Sequence, residues 1–402
     1  MDKVLLDQML KFAAEAYKTP SLQDKKIKMA VEVGGKTRMF KVPKYLYYDS
    51  KNKFAEFYDN STGYTLTTDV LDFQTDENGK VTAVQTGKDP ASRSFPELID
   101  VGIMSGCKMS QQCAVGCYQG AKAYNPKTDM SLDTYKHIID EVKDRTYQVA
   151  LGGKGDPNDH EDLVKIIDYT VKAGMNVSFT TAMISEKEIQ TCKGHGVSAI
   201  AISWHPTKVE DGLDWTKPQD YTVSSIACAV GHGFKTNIHF VLSKESIKTA
   251  IKLLSDDSFR EQYAHGVNAI IFLRYKAVGC AKKENCLIDG DADVESFFKL
   301  IDDWQPLKHG NLKIGFDSCC APLISKNCKK VPDTCLISCE ALSRSMYIAP
   351  DGRNLACSFA NQTPSEYFTG TIEEFWNSEK AEQIRKNKCI KECPFITGEK
   401  IG

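Results

Sequence analysis

Three cysteines lie close together in the first third of the chain. Cys107, Cys113 and Cys117 fall within 11 residues. Three thiolates can bind three irons of a [4Fe–4S] cluster and leave the fourth iron open to another ligand. A zinc site needs a fourth protein ligand, and no histidine occurs between Cys107 and His137. The spacing favours an iron–sulfur cluster, with zinc as the alternative.

A glycine-rich turn follows the cysteine loop by one strand–helix unit. It reads Gly152-Gly153-Lys154-Gly155-Asp156-Pro157. Glycines let a backbone approach a ligand closely, and the carboxylate of Asp156 can pair with a cationic amine. Many such turns simply connect a strand to a helix. This turn indicates a ligand site only because it follows the cysteine loop by one strand–helix unit.

Cysteine is unusually frequent, with 15 in the chain. The count is odd and no export signal is evident, so metal ligation is a better interpretation than disulfides. Cys192 and Cys228 are expected to be buried apolar side chains. The carboxyl-terminal group comprises Cys319, Cys320, Cys328, Cys335, Cys339, Cys357, Cys389 and Cys393.

Apolar strands alternate with helical segments from residue 97 to residue 316, which predicts a parallel sheet with right-handed crossovers. The fold class is α/β, a full or partial (β/α) TIM-type barrel, whose ligands gather at the carboxyl ends of the strands. His239 and Arg274 lie on two of these strands, and the pattern leaves open whether they face the lumen. The predicted strands are Leu98–Ile103, Gln148–Leu151, Asn176–Thr180, Ala199–Ser203, Lys235–Leu242, Ala269–Leu273 and Leu312–Phe316.

Two further parts flank the predicted barrel. Residues 1–96 are expected to form an α+β extension of a helix and hairpins. Residues 317–402 are expected to form a small cysteine-rich domain organised by metal. Between Lys25 and Lys44 there are seven basic residues and one acidic residue, which favours a solvated sheet face over a site for an acidic partner.

Composition excludes several classes of protein. Hydrophobic residues make up 42% and charged residues 26% of the chain, as in globular proteins. The net charge of -2 provides no global field for nucleic acid, so none is expected as a partner. No apolar run is long enough to span a bilayer, so we expect no membrane association and a cytoplasmic location.

The cysteine loop with an aromatic residue after its last cysteine, followed by Gly-Gly-x-Gly-Asp-Pro after the next strand, resembles the radical S-adenosylmethionine (SAM) enzymes. The resemblance covers roughly residues 97–316. It implies that Cys107, Cys113 and Cys117 ligate a [4Fe–4S] cluster whose open iron is chelated by SAM. Most of that family has three and then two residues between these cysteines, whereas this chain has five and then three.

The same resemblance implies further cofactor contacts. Residues 270–279 resemble the sixth strand and following loop, whose backbone borders the adenine. The other implied contacts are backbone around Tyr118 to the adenine, Gly152, Gly153 and Asp156 to the methionine amino group, and Ser203 to the ribose.

The carboxyl-terminal cysteines show a second pattern. Cys339 is followed by 12 residues and Gly352, and then by four residues and Cys357. The glycine predicts a hairpin turn that brings the two cysteines together. The pattern resembles SPASM and twitch domains, and the chain is too short after Cys393 for a complete SPASM set. The resemblance implies one auxiliary [4Fe–4S] cluster held by Cys339, Cys357, Cys389 and Cys393, with a second cluster left open.

Such enzymes use one electron from the cluster to cleave SAM to methionine and a 5'-deoxyadenosyl radical, which abstracts hydrogen from a substrate. The resemblance implies a peptide or protein side chain as substrate, and an external electron donor such as a flavodoxin or ferredoxin. The alternatives are a nucleoside, sugar or other small-molecule substrate, or a non-catalytic zinc or iron–sulfur protein.

Overall fold

The structure is a computed structural model of the chain. It describes residues 3–33, 36–110, 113, 115, 117–119, 125–210, 212–288, 290–332, 336, 338–362, 368–386 and 393. Within these ranges, no helix is both long enough and apolar enough to cross a bilayer.

The amino-terminal part consists of one helix against antiparallel strands. The elements are α1 (Lys3–Lys18), β1 (Ile27–Lys28), β2 (Ala30–Val33), β3 (Lys36–Met39), β4 (Lys44–Asp49), β5 (Phe54–Asp59), β6 (Tyr64–Thr67), β7 (Leu71–Thr75) and β8 (Val81–Gln85). Strands β1, β4, β5 and β6 form one sheet, and β2–β3 and β7–β8 are separate hairpins. α1 buries Met9, Ala13 and Ala16 in an apolar cluster with Leu46 and Phe57.

Alternating strands and helices follow, as the sequence predicts. They are β9 (Leu98–Met104), α2 (Leu132–Val142), β10 (Gln148–Gly153), α3 (Leu163–Lys172), β11 (Asn176–Thr181), α4 (Glu186–His195), β12 (Ala199–Ser203), β13 (Pro206–Val209), β14 (Gly212–Pro218), α5 (Asp220–Gly231), β15 (Thr236–Leu242), α6 (Ile247–Ser255), α7 (Asp257–Ala264), β16 (Ala269–Arg274), α8 (Ala292–Asp302) and β17 (Lys313–Phe316). Strands β9, β10, β11, β12, β15, β16 and β17 pair in that order, all parallel. The α/β fold class is therefore confirmed, in the form of a partial barrel.

Burial alternates along the barrel strands and defines the lumen. In β15, Ile238, Phe240 and Leu242 are buried in the core between the sheet and the helices. The residues between them point the other way, so His239 and Val241 face the lumen. The direction of His239, which the sequence left open, is thus towards the lumen.

The main sheet continues beyond residue 316. The last elements are α9 (Ala321–Asn327), β18 (Ser345–Ile348), β19 (Asn354–Leu355), α10 (Ile372–Trp376) and α11 (Glu379–Lys386). β18 pairs in parallel with β9, and β19 pairs antiparallel with β18. The cysteine-rich segment therefore extends the barrel sheet along the edge of its first strand. The predicted domain limits at residues 96 and 316 stay a prediction.

A buried group of charges joins the amino-terminal sheet, the barrel and the carboxyl-terminal segment. We call Glu56, Arg93, Glu97 and Arg344 the charge network. Glu56 and Arg93 have fully buried side chains, with Arg93 Nε 3.0 Å from Glu56 Oε2. Arg344 Nη1 lies 2.9 Å from both Glu56 Oε1 and Glu97 Oε2. Tyr47 packs its ring against the Arg93 guanidinium, 3.8 Å from its centroid.

Candidate active site

A cavity of about 790 Å³ opens at the carboxyl ends of the barrel strands. The loops after β9, β10 and β16, the barrel lumen and the segment that carries Cys339 and Cys357 all contribute to its walls. This is the end of a parallel barrel where ligands bind. Every site residue that the sequence predicted within the described ranges lines this one cavity, including Ser203 at the end of β12.

The three cysteines of the first loop all line the cavity. Cys113 N donates a hydrogen bond to Met109 O at 2.8 Å, which folds the loop back on itself. Burial, together with the nearby charges of Asp156, Cys113 and Cys117, raises the pKa of Cys107 to about 11. Free thiols in this environment stay protonated, whereas iron supplies the positive charge that a set of thiolates requires.

The donor set therefore fits an iron–sulfur cluster. Among the described residues, no three His, Cys, Asp or Glu side chains are grouped closely enough to hold a single metal ion. The cysteines of a cubane cluster each bind a different iron, so their sulfurs lie farther apart than the ligands of one ion.

Two glycines of the glycine-rich turn allow it to pack closely against the cysteine loop and the strand before it. A Cβ on Gly155 would lie 2.1 Å from Gly106 O and 3.1 Å from the Cα of Cys107. Gly153 has φ +124°, and a Cβ there would lie 2.3 Å from Met104 O. Any side chain at either position would push the two loops apart. Gly155 was not assigned from the sequence, although the Gly-x-Gly spacing contains its signal.

Gly152 has a different role, because an added Cβ would meet no protein atom within 4 Å. It lines the cavity, so its missing side chain leaves space there rather than allowing two loops to pack.

Asp156 also lines the cavity and is held in place from behind. Its Oδ2 accepts hydrogen bonds of 2.9 Å from Ala182 N and from Thr181 Oγ1. Burial raises the pKa of Asp156, and these hydrogen bonds oppose the rise. The side chain is thereby fixed with a carboxylate facing the cavity beside Gly152.

The loop after β16 touches the cysteine loop directly. Cys280 N donates a hydrogen bond of 3.0 Å to Cys117 O. Gly279 has φ +67°, and a Cβ there would lie 2.3 Å from Tyr118 O. Gly279 thus lets two cavity walls meet at the last cysteine of the loop.

The Tyr118 side chain points towards the carboxyl-terminal segment. Its ring centroid is 4.4 Å from that of Phe359, and its hydroxyl donates a 3.4 Å hydrogen bond to Ser358 Oγ. Tyr118 follows Cys117, and Ser358 follows Cys357, so this contact bridges the two cysteine segments. The sequence pattern indicated a role only for the Tyr118 backbone.

The lumen below the loops carries several polar groups. Thr180 Oγ1 lies 3.1 Å from His239 Nδ1. Burial lowers the pKa of His239 to about 4, so its imidazole is neutral near pH 7.

Asp100 lies deeper, on β9, beside Tyr347 of β18. Gly102 makes room for that tyrosine, because a Cβ there would lie 2.1 Å from Tyr347 Oη. Burial raises the pKa of Asp100 to about 7, and the charge of Glu340 adds to the rise. Asp100 was not assigned from the sequence, although a carboxylate inside the apolar run Leu98–Ile103 is a visible signal.

The carboxyl-terminal cysteines divide between the cavity and the core. Cys339, Cys357 and Cys393 line the cavity, and so does Cys319. Cys389, which the sequence also predicted as a ligand, lies outside the described residues, as does Cys335. Burial raises the pKa of Cys357 to about 12, and the charges of Cys319 and Cys339 contribute to the increase.

One cation lies beside these cysteines. Lys276 Nζ is 3.2 Å from Asp317 Oδ2 and 3.7 Å from the centroid of the Phe359 ring. Burial alone would discharge this lysine, but Asp317 and Cys319 outweigh that effect and raise its pKa above the ordinary value. Lys276 therefore stays protonated.

The carboxyl-terminal segment matches a known domain family. Residues 339–394 match SPASM, an iron-sulfur cluster-binding domain. The match begins at Cys339 and extends past Cys393, so it contains all four cysteines that the sequence assigned to an auxiliary cluster.

Structures of SuiB from Streptococcus suis share the fold at low sequence identity. SuiB alone has a TM-score of 0.57 at 15% identity, over 77% of this chain and 76% of SuiB. SuiB bound to S-adenosylmethionine has a TM-score of 0.58 at 14% identity over the same shares. SuiB bound to the precursor peptide SuiA has a TM-score of 0.61 at 12% identity, over 87% of this chain and 94% of SuiB.

A curated relative matches over a shorter stretch. The AdoMet-dependent heme synthase of Methanosarcina barkeri is 24% identical over 115 residues, which is 28% of this chain. The match spans about a third of the length of that relative, 32%.

The partial barrel, the three-cysteine loop and these matches make the chain similar to the radical SAM enzymes. Its carboxyl-terminal segment, residues 339–394, matches the SPASM domain family.

Proposed function

We propose that this enzyme cleaves SAM reductively and abstracts hydrogen from a peptide side chain. One observation carries the proposal: the three cysteines of the first loop, the glycine-rich turn with Asp156, and the polar lumen all face one cavity of about 790 Å³. A cofactor and a substrate held in that cavity would be in contact with each other.

The residues of the loops have distinct roles in this proposal. Cys107, Cys113 and Cys117 hold a [4Fe–4S] cluster, and Asp156 accepts a hydrogen bond from the methionine ammonium of SAM. When bound, the cluster supplies the electron that converts SAM to methionine and the hydrogen-abstracting 5'-deoxyadenosyl radical. The space beside Gly152 admits the methionine group, because no protein atom occupies it.

Other contacts would keep the adenosyl group in place. We assign Ser203 to the ribose and the backbone around Tyr118 to the adenine. Gly279 supports the Tyr118 backbone from behind through its close approach to Tyr118 O.

The lumen would receive the substrate. Asp100, His239 and Tyr347 line it below the glycine-rich turn. A neutral His239 and a carboxyl group with a pKa of about 7 can exchange hydrogen bonds with amide or side-chain groups of a substrate. A peptide is favoured because SuiB, which shares the fold over 87% of this chain, binds a precursor peptide.

We assign Cys339, Cys357, Cys389 and Cys393 to one auxiliary [4Fe–4S] cluster. Three of these thiols line the cavity, so such a cluster would lie beside the substrate. It would bind the substrate or accept the electron that an oxidised substrate releases. An external donor such as a flavodoxin or ferredoxin would reduce the first cluster.

Anaerobic reconstitution tests the proposal. The loaded enzyme should hold two clusters and convert SAM to 5'-deoxyadenosine when a reductant is added. Candidate peptides with deuterated side chains, chosen first from those encoded beside the gene, should transfer deuterium into 5'-deoxyadenosine. Bound zinc without cleavage would contradict the proposal, and deuterium transfer only from a small molecule would contradict the peptide assignment.

A further inference from the structure

The described cysteines after residue 316 fall into two kinds by the direction of their thiols. Cys319, Cys339, Cys357 and Cys393 face the cavity. Cys320 and Cys328 face the core instead. Cys320 Sγ lies 3.8 Å from Phe272 O, and Cys328 Sγ lies 3.6 Å from Phe298 O. Four cysteines of this part of the chain therefore line the same cavity, and Cys319 is among them.

The adjacent Cys319 and Cys320 point in different directions because of local structure. They form the last two residues of a 3-10 helix that spans Ser318–Cys320, directly after β17. Successive residues of such a helix project about 120° apart. One thiol of the pair therefore enters the cavity while its neighbour is fully buried against the barrel. Adjacent cysteines rarely bind one metal together, but this does not exclude a single member of the pair as a ligand.

Cys319 is close to the other cavity thiols and to a cation. Lys276 Nζ lies 3.2 Å from Asp317 Oδ2, two residues before Cys319, and 3.7 Å from the centroid of the Phe359 ring, two residues after Cys357. Lys276 donates a hydrogen bond to the Cys319 thiol and is itself paired with Asp317. A buried ammonium beside a thiolate is typical of sulfur ligands in iron–sulfur sites, where such hydrogen bonds tune the reduction potential.

We propose that Cys319, in place of Cys389, is the fourth ligand of the auxiliary cluster, together with Cys339, Cys357 and Cys393. The inference rests on the proposed function only in taking an auxiliary cluster to be present. It assigns one ligand to the end of the last barrel strand, outside the segment that matches SPASM. It also makes Lys276 a positioning residue that acts on the cluster through Cys319.

The experiment uses the full chain with Cys107, Cys113 and Cys117 replaced by alanine, so that only the auxiliary cluster contributes signals. This parent should bind about four irons per chain. Cys319→Ala in the parent should lose one or more irons and show the electron paramagnetic resonance signal of a three-iron cluster. Cys320→Ala is the matched control, one residue away, and should keep the iron count and spectrum of the parent.

Two further variants keep the test decisive. Cys319→Ser supplies an oxygen ligand, so it should retain iron with shifted g values even if the alanine variant folds poorly. Lys276→Met should leave the iron count unchanged and lower the reduction potential of the auxiliary cluster, because a hydrogen bond to its ligand is lost.

The proposal is overturned if Cys319→Ala or Cys319→Ser retains both the iron count and the spectrum of the parent. It is also overturned if the parent binds no cluster. SAM cleavage by the unmodified enzyme, measured in parallel, tests the proposed function independently of either result.

Discussion

The charge network lies at the amino ends of the barrel strands and the cavity lies at their carboxyl ends. Both regions keep ionisable side chains away from bulk water. In the network, Glu56 contacts Arg93 and Arg344 within 3.0 Å. In the cavity, the side chain of Asp100 has no hydrogen-bond or ion-pair partner among the residues that the structure describes. A buried charge with partners holds elements together, whereas one without a partner costs stability and stays available to a ligand.

Replacing the cysteines of the first loop should have the largest effect, because the proposed reaction depends on the cluster that they hold. Replacing Cys107, Cys113 and Cys117 by alanine should reduce 5'-deoxyadenosine formation below detection and remove about four irons per chain. Cys192→Ala is the control, since that thiol is buried in the core. This variant should keep both the rate of 5'-deoxyadenosine formation and the iron content. Cleavage at the original rate in the triple variant would show that the cavity is not the reaction site.

A pair of glycine variants separates loop packing from ligand space. Gly155→Ala should lower the SAM cleavage rate by about 100-fold, because its methyl group would force the turn away from Gly106 and shift the cluster loop. Gly152→Ala should keep the rate at saturating SAM and the melting temperature, but raise the KM for SAM. Steady-state kinetics with SAM as the varied substrate distinguishes the two. Equal behaviour would contradict the distinct roles assigned to these glycines.

Breaking the charge network should affect stability rather than chemistry. Glu56→Gln should lower the free energy of unfolding by about 3–5 kcal/mol, since it leaves two buried guanidiniums with one carboxylate fewer. Denaturant titration measures this change. The control is Glu373→Gln, whose side chain is exposed where it pairs with Arg145, and the substitution should cost less than about 1 kcal/mol. A similar loss of stability in both variants would contradict the special structural role of the charge network.

Asp100→Asn should act in the opposite direction and raise stability by about 1–2 kcal/mol at pH 8. Burial raises the folded-state pKa of Asp100 to about 7 from the ordinary 3.8. The wild type therefore loses stability as pH rises from about 4 to 7, and the variant does not. The difference in melting temperature should grow between pH 5.5 and pH 8.

The matched control for this titration is Asp140→Asn. Hydrogen bonds from Lys143 and Tyr169 lower the pKa of Asp140. Removing this carboxylate should therefore slightly lower the stability of the protein at pH 8 and should not raise it. If Asp100→Asn shows no change across that pH range, then Asp100 is better solvated or better paired than its position indicates.

The barrel was predictable because its strands are rich in apolar side chains. Such strands form apolar runs with helical segments between them, and the run Ala199–Ser203 coincides with β12. Other predicted strands differ from the structure at their ends, as at Gln148–Leu151, which extends through Gly153 as β10. Strand ends depend on turn geometry and on pairing partners, which short sequence windows do not contain.

Two features were beyond local sequence patterns. The pairing of β18 with β9 joins residues that are far apart in the chain, so no local sequence pattern predicts it. The choice between Cys319 and Cys320 depends on which side of a short helix faces the cavity. Residue type and spacing indicate the chemistry, but only the fold shows which of several identical side chains line the same cavity.

The pairing of β9 with β18 has a consequence for how the protein is made. The ribosome completes Ser345 roughly 240 residues after Met104, which at roughly 5–20 residues per second is a delay of tens of seconds. Until then, one edge of the strand that leads into the cluster loop has no partner in this sheet. Unpaired strand edges invite pairing with other nascent chains. A chain truncated before residue 345 would keep that edge open permanently, so it should aggregate rather than yield a smaller working barrel.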